Sequence, residues 1–322
     1  MLEMGKVNIA VIAGGWSSER DVSLMSGNAV YKALDKDKYH VNRYDPKHEL
    51  AVLIEKKEQI DLAFILLHGR FGEDGRIQGL LDIMGIPFVG SGVLSSAMAV
   101  NKKVTKDLYR AEGLCVAEHV ILKRDEPFSL EEVIRAIGIH SVVKPLSEGS
   151  SVGMSVCGNE EELRLGIQQA FALDREIMIE KFIEGREVTC CVLGNRQLET
   201  LPIIEILLRE RYRFFDYEAK YTAGETEEIC PAQLSEKIAD QVKNAAIKAH
   251  QALGCEIWSR TDMIIHHETV TLLETNTIPG MTENSLFPLA ARTAGISFPQ
   301  LLDRLIRLSF EKKVNVDKIQ WL

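Results

Sequence analysis

Val7-Asn8-Ile9-Ala10-Val11-Ile12-Ala13-Gly14-Gly15 is an apolar run of strand length that stops on two glycines, and Ser17-Ser18-Glu19-Arg20 then opens a helical pattern reaching Leu34. A run of that kind predicts a buried strand, a tight turn and a helix. Working outward, further strands are predicted at 40–44, 61–67 and 87–89, alternating with helices near 49–57 and 76–84. Such alternation is what a parallel sheet with helical crossovers requires, so the fold class is α/β and residues 1–100 form a doubly wound N-terminal domain.

A helix at 101–112 leads into apolar runs at 118–122, 140–144, 151–157 and 176–180, with helices near Leu130 and at 160–172. This predicts a smaller α+β lobe over 101–185. Residues 186–322 continue with long strands, a helix through Leu253, paired strands at 256–266 and 268–274, and two terminal helices. Between them, 209–230 is too long and polar for an ordinary connection, yet carries Phe214, Phe215, Tyr217, Lys220 and Tyr221. That aromatic content predicts a lid loop in place of a disordered linker.

Composition narrows the function. The chain has 322 residues, 46% hydrophobic and 26% charged, which suits a globular protein of two or three domains. Residues 1–13 lack a basic segment followed by a long apolar core, and no apolar run approaches twenty residues, so a cytoplasmic, non-membrane protein is expected. The six cysteines show no C-x-x-C spacing and stand in or beside apolar runs, predicting reduced core thiols and neither zinc nor disulfides. A formal net charge of −9 without a long basic tract argues against a nucleic-acid partner.

Chemistry concentrates in a few strings. Arg260-Thr-Asp262 and Glu274-Thr-Asn276, closed by Pro279-Gly280-Met281-Thr282, offer two carboxylates, an amide oxygen and a fixed cation. Hard oxygen donors of this kind suit Mg2+ held jointly with a nucleotide's phosphates. A surface ion-pair cluster is the competing reading, but it gives the N-T-x-P-G turn no need for Glu274 or Asn276. In Lys144-Pro-Leu-Ser-Glu-Gly149-Ser150-Ser151-Val152-Gly153 a lysine precedes a small-residue loop, which serves equally as a phosphate cradle or a serine-glycine hairpin. The strand and charged hinge over 177–187 either presents backbone groups to an adenine ring or forms an ion-paired turn.

In their order along the chain these strings resemble the ATP-grasp superfamily and, within it, the D-alanine:D-alanine ligases. The resemblance spans nearly the whole sequence. Its most specific pieces are Gly14-Gly15 with Ser18-Glu19-Arg20-Asp21-Val22-Ser23, His68-Gly69 with Gly72-Glu73-Asp74-Gly75, the Lys144 loop, Lys220-Tyr221, and Asn276 to Thr282. It implies a Rossmann-like, pre-ATP-grasp first domain and a two-lobed ATP-grasp module. The implied activity is ATP-dependent joining of two D-alanines through D-alanyl phosphate, for peptidoglycan precursor synthesis, by a cytoplasmic homodimer with two Mg2+ ions or Mn2+ in their stead.

By the same resemblance Lys102, Lys144 and Ser151 hold phosphates, Lys220 closes over them, Glu180 and Lys181 meet adenine, and Glu187 meets ribose. Met154, Phe214, Ile264 and Leu273 line an adenine slot, although each is equally natural as core. Asp262, Glu274 and Asn276 carry over as metal ligands. Glu19 takes the first D-alanine's ammonium and forms a set with Ser150 and Tyr221, while an acid opening a helix also gains from the helix dipole alone. His68 faces the substrate or is a buried structural histidine, and Ser285 and Leu286 take the second carboxylate or simply start a helix. Arg260 and the Gly280 N–H carry over as oxyanion donors.

Four positions depart from the family pattern: Asn101 where aspartate is frequent, Trp16 in a turn, and Thr261 and Thr275 where aliphatics are frequent. Rival readings are a ligase taking D-lactate or D-serine second, and a catalytically silent nucleotide-binding regulator.

Overall fold

The computed structural model describes residues 6–147, 149, 152–208 and 226–317. The predicted first sheet is present as four parallel strands, β1 (Val7–Ile12), β2 (Tyr39–Tyr44), β3 (Leu62–Ile65) and β4 (Phe88–Val89), in the order β2-β1-β3-β4. Side chains alternate across this sheet, as strand geometry demands. Ile9, Val11, Leu62 and Phe64 pack against the helix Arg20–Ala33 and, from the far end of the chain, the helices Leu286–Thr293 and Phe298–Asp317. Ala10, Ile12, Ala63 and Ile65 face the helices Pro46–Glu55 and Arg76–Met84. The C-terminal helices thus cover one face of the N-terminal sheet.

β5 (Cys115–Val116) follows the helix Lys102–Ala111, and its partner lies far downstream. A four-stranded antiparallel sheet comes next, with β6 (His119–Lys123), β7 (Ser141–Pro145), β8 (Ser155–Cys157) and β9 (Glu176–Lys181) in the order β6-β9-β7-β8. Helices Leu130–Ile137 and Glu160–Leu173 bury its apolar face.

The third sheet is seven-stranded among the described residues. It contains β10 (Arg186–Gly194), β11 (Leu198–Thr200), β12 (Ile204–Leu208), β13 (Thr226–Ile229), β14 (Ile257–His266) and β15 (Thr269–Asn276), with β5 parallel to β15 at its edge. The helix Glu236–Ala252 packs on it through Val242, Ala246 and Ala249, beside the fully buried Tyr109.

Several expectations need adjusting. The strand predicted to begin at 151 begins at Ser155, because Val152 and Gly153 form a turn with Gly153 at φ +71°. The last part of the predicted lid, Thr226–Ile229, is a strand hydrogen-bonded to β12, while 209–225 lie outside the described residues. Residues 115 and 116, expected in the central lobe, join the C-terminal sheet. A helix at Val93–Val100 went unpredicted, its small residues giving little amphipathic signal. Of the cysteines, Cys157, Cys190, Cys191 and Cys255 are buried and Cys230 is partly covered, but Cys115 is exposed at the sheet edge.

Candidate active site

Two cavities, of about 380 and 120 Å3, share Lys102 and Glu274 in their walls. The shared wall is made by β14 and β15. Antiparallel register sets Asp262 opposite Glu274 and Arg260 opposite Asn276, and the two-residue alternation of a strand turns all four to one side. Thr261 and Thr275 point to the other side, where their hydroxyls bond at 2.8 Å and Thr275 bonds the Tyr109 hydroxyl at 2.5 Å. The two threonines that depart from the family pattern therefore form a satisfied buried hydroxyl chain directly behind the site.

Arg260 holds Asp262 bidentately, Nε to Oδ1 at 3.0 Å and Nη2 to Oδ2 at 2.9 Å. The Thr189 hydroxyl donates to Oδ1 at 2.6 Å and the Asn276 amide to Oδ2 at 3.1 Å. Burial lowers the pKa of Arg260, but the adjacent Asp262 carboxylate outweighs it and the net shift is upward, so the guanidinium is a permanent cation. Glu274 receives no hydrogen bond or ion pair from the described residues, and the amide oxygen of Asn276 has none either. Among the described residues no three carboxylate, imidazole or thiolate groups gather as a metal cluster. Two carboxylates and an amide oxygen in a cavity wall, one carboxylate unengaged, nevertheless fit a hard cation that completes its shell with phosphate oxygens.

On the smaller cavity, Met154, Ile264 and Leu273 stand with Val142, Val156, Phe182 and Ile183 as apolar lining, and Lys144, Lys181 and Glu187 also line it. Glu180 was expected at adenine, yet its carboxylate is only 3% exposed and is clasped by Lys144 and by Lys106, the latter at 2.8 Å. Burial pushes its pKa up, but the two lysines overcome that and bring it to about 2. Its side chain is thus engaged in an ion-pair cluster. Lys102 begins its helix with Asn101 as cap, the Asn101 Oδ1 accepting from the Val104 N–H at 3.1 Å, which accounts for asparagine serving where aspartate is frequent.

The larger cavity is lined by Glu19, His68, Arg260, Gly280, Ser285 and Leu286. Glu19 occupies the N-cap position of the first helix without making a side-chain cap bond. It is buried in the cavity wall, so capping does not explain it. The glycine turn before it is pinned by Asp45, which accepts from the Gly15 N–H at 2.9 Å and pairs with Arg20; Gly14 and Gly15 both have positive φ, at +97° and +79°.

His68, buried beyond the end of β3, sets Nδ1 3.7 Å from Glu73 Oε1, while Glu73 Oε2 accepts from the Gly69 N–H at 2.9 Å. Burial lowers the His68 pKa, but Glu73 and Glu19 more than offset this and the net shift is upward. Ser285 stands at the N-cap of the helix Leu286–Thr293, yet its hydroxyl accepts from the Thr282 N–H at 3.0 Å in place of capping. A side chain at Gly280 would approach the Ser285 hydroxyl at 3.0 Å, so glycine keeps this corner open. Trp16, exposed in its turn, packs edge-on against Phe71 with centroids 5.4 Å apart.

Every sequence-predicted site residue within the described set lines one of the two cavities. Ser150, Ser151, Phe214, Lys220 and Tyr221 lie outside the described residues. The site also holds residues given no role from sequence: Glu73, whose string was noted, Glu228 on β13, Thr277, Asn284 and, beneath the smaller cavity, Lys106. For Lys106 the one available signal was its spacing of four from Lys102, which puts both on one helical face.

Comparison with known proteins agrees with this geometry. The family profile described as D-ala D-ala ligase C-terminus matches residues 108–307, and the one described as D-ala D-ala ligase N-terminus matches 8–51 and 42–91. A D-alanine--D-alanine ligase of Syntrophobacter fumaroxidans is 53% identical over 95% of this chain and 98% of its own. Among solved structures, the D-alanine--D-alanine ligase from Bacillus anthracis complexed with ATP superposes with a TM-score of 0.85 at 35% identity, covering 96% of this chain and 99% of that one. The VanG D-Ala:D-Ser ligase from Enterococcus faecalis gives 0.81 at 32% identity, covering 95% and 100%. With its ATP-grasp fold and both family regions matched, the chain belongs to the D-alanine–D-alanine ligase family.

Proposed function

We propose that this chain joins two D-alanine molecules to D-alanyl-D-alanine with ATP as the activating substrate, as a cytoplasmic homodimer supplying peptidoglycan precursor synthesis. One observation carries the reading: a cavity holding Glu19 and His68 and a cavity holding Lys102 and Lys144 meet at a single wall of Arg260, Asp262, Glu274 and Asn276. An amino acid and a nucleotide seated in them face each other across that wall. Among the described residues no helix is long and apolar enough to cross a membrane.

In this reading Glu19 pairs with the ammonium of the first D-alanine and turns its carboxylate toward the nucleotide. A carboxylate oxygen bonds to the γ-phosphorus, the bond from that phosphorus to the bridging oxygen breaks, and ADP leaves with the electron pair. Lys102 and Lys144 hold phosphate oxygens in line. Asp262, Glu274 and Asn276 would hold Mg2+, which when bound neutralises phosphate charge and polarises the transferred group. Ser285 and the N–H groups at the start of the helix Leu286–Thr293 seat the second carboxylate. The amine of the second D-alanine attacks the carbonyl carbon of the acyl phosphate, and Arg260 and the Gly280 N–H stabilise the oxyanion. Collapse breaks the carbon–oxygen bond to phosphate, which leaves with the electron pair and takes up the proton shed by the nitrogen.

The test is phosphate release with ATP and Mg2+ as D-alanine is added. Release that tracks dipeptide formation is expected; release indifferent to D-alanine overturns the reading. The likeness to a D-Ala:D-Ser ligase structure favours one second reading, in which D-serine is the acceptor. Product ratios in equimolar D-alanine and D-serine decide between them.

A further inference from the structure

Lys106 is fully buried, and among the described residues it forms one ion pair, with Glu180 at 2.8 Å. The other oxygen of Glu180 holds Lys144. One carboxylate thus sits between two ammonium groups, one sealed in the interior and one in the wall of the smaller cavity. Lys102, one helical turn before Lys106, lines that cavity as well.

Buried carboxylates gain ion partners because removing them from water is costly, and one lysine suffices for that. A second lysine changes the charge count. Glu180 with Lys144 alone is neutral; Glu180 with Lys144 and Lys106 carries one positive charge, and Lys144 and Glu180 line the cavity while Lys106 lies behind them. At low local dielectric that difference acts strongly on a nearby phosphate.

Resting on the proposed nucleotide role of the smaller cavity, we infer that Lys106 is a positioning residue for the phosphate site: it offsets the charge of Glu180, so that Lys144 meets the nucleotide as an uncompensated cation held in place. Burial lowers the Lys106 pKa and Glu180 raises it, so the two are mutually dependent in keeping their charges.

The experiment compares binding of ATP and of adenosine, by calorimetry, to the full-length wild type, Lys106→Met and the double variant Lys106→Met/Glu180→Gln. In Lys106→Met, ATP affinity should fall at least tenfold with adenosine affinity unchanged within twofold, since adenosine has no phosphate for Lys144 to meet. In the double variant, where the opposing carboxylate is gone as well, ATP affinity should return to within threefold of wild type. Equal loss of both ligands in Lys106→Met, unchanged ATP affinity, or a double variant no better than the single overturns the inference. Should Lys106→Met fail to fold, the double variant decides by itself: near-wild-type ATP affinity supports the inference, and a tenfold loss overturns it. Failure of the wild type to bind ATP would instead refute the nucleotide site itself.

Discussion

The hydroxyl of Thr189 donates to Asp262 Oδ1 at 2.6 Å across the β10–β14 pair, both residues being buried. Asp262 is thereby held from the neighbouring strand β10 as well as by Arg260 and Asn276. Replacing Thr189 by valine keeps the shape and removes the donor. A hydrogen bond to a buried charge contributes about 1.5–3 kcal/mol. Thr189→Val should therefore lower the melting temperature and raise the Mg2+ concentration for half-maximal activity several-fold. An unchanged Mg2+ titration would separate Thr189 from any role in orienting Asp262.

Arg260 is bidentate to Asp262 and stands in the wall of the larger cavity, so its removal affects two things at once. As an oxyanion donor its loss should reduce kcat about 100- to 1000-fold, the range for such groups. Lysine cannot reproduce the planar two-donor fork, so Arg260→Lys should fall far short of restoring turnover. Rapid-quench measurement of the chemical step checks both variants, and a wild-type rate in Arg260→Ala would remove the assigned role.

How much of this was legible beforehand depended on where each residue's partners lie in the sequence. Arg260, Asp262, Glu274 and Asn276 stand out because i, i+2 spacing on two strands separated by a short turn puts them on one face without any long-range information. Glu19 could be placed at a helix start, but its choice of cavity over cap depends on the approach of the segments around Gly69 and Gly149. Lys106 reads as an ordinary exposed helix lysine until β9 brings Glu180 against it. The pairing of β5 with β15, and the packing of the C-terminal helices on β1 and β3, are contacts between distant segments that no local pattern encodes.

His68 offers a pH test with a definite sign. Its folded-state pKa is raised above the ordinary histidine value near 6.5: burial pulls it down, and Glu73 and Glu19 outweigh burial. Protonation thus contributes stability that is fully present below that ordinary value and lost as pH rises through the folded pKa. Glu73→Gln removes the nearest acid, so the imidazole should titrate at lower pH than in the wild type. NMR titration of the His68 ring follows this directly, and identical titration in the two proteins would exclude the Glu73 contact.

His250 should behave in the opposite sense. The residue is 2% exposed, Nδ1 lies 2.7 Å from the Ser259 hydroxyl, and Nε2 has no partner among the described residues. Burial depresses its pKa to about 4, a contact with the Cys255 backbone opposing this weakly. The unfolded chain binds a proton near pH 6.5 and the folded chain does not. The stability this group contributes is therefore complete above about 6.5 and declines as pH falls toward 4, by up to about 3 kcal/mol. Urea unfolding at several pH values should show that decline in the wild type and a shallower one in His250→Gln, whose side chain carries no ionisable group. Parallel pH profiles for the two proteins would place the acid sensitivity elsewhere, and the next groups to examine would be the carboxylates already paired in the fold, Asp45 and Glu180, which lose their partners only at much lower pH because both are held down to about 2.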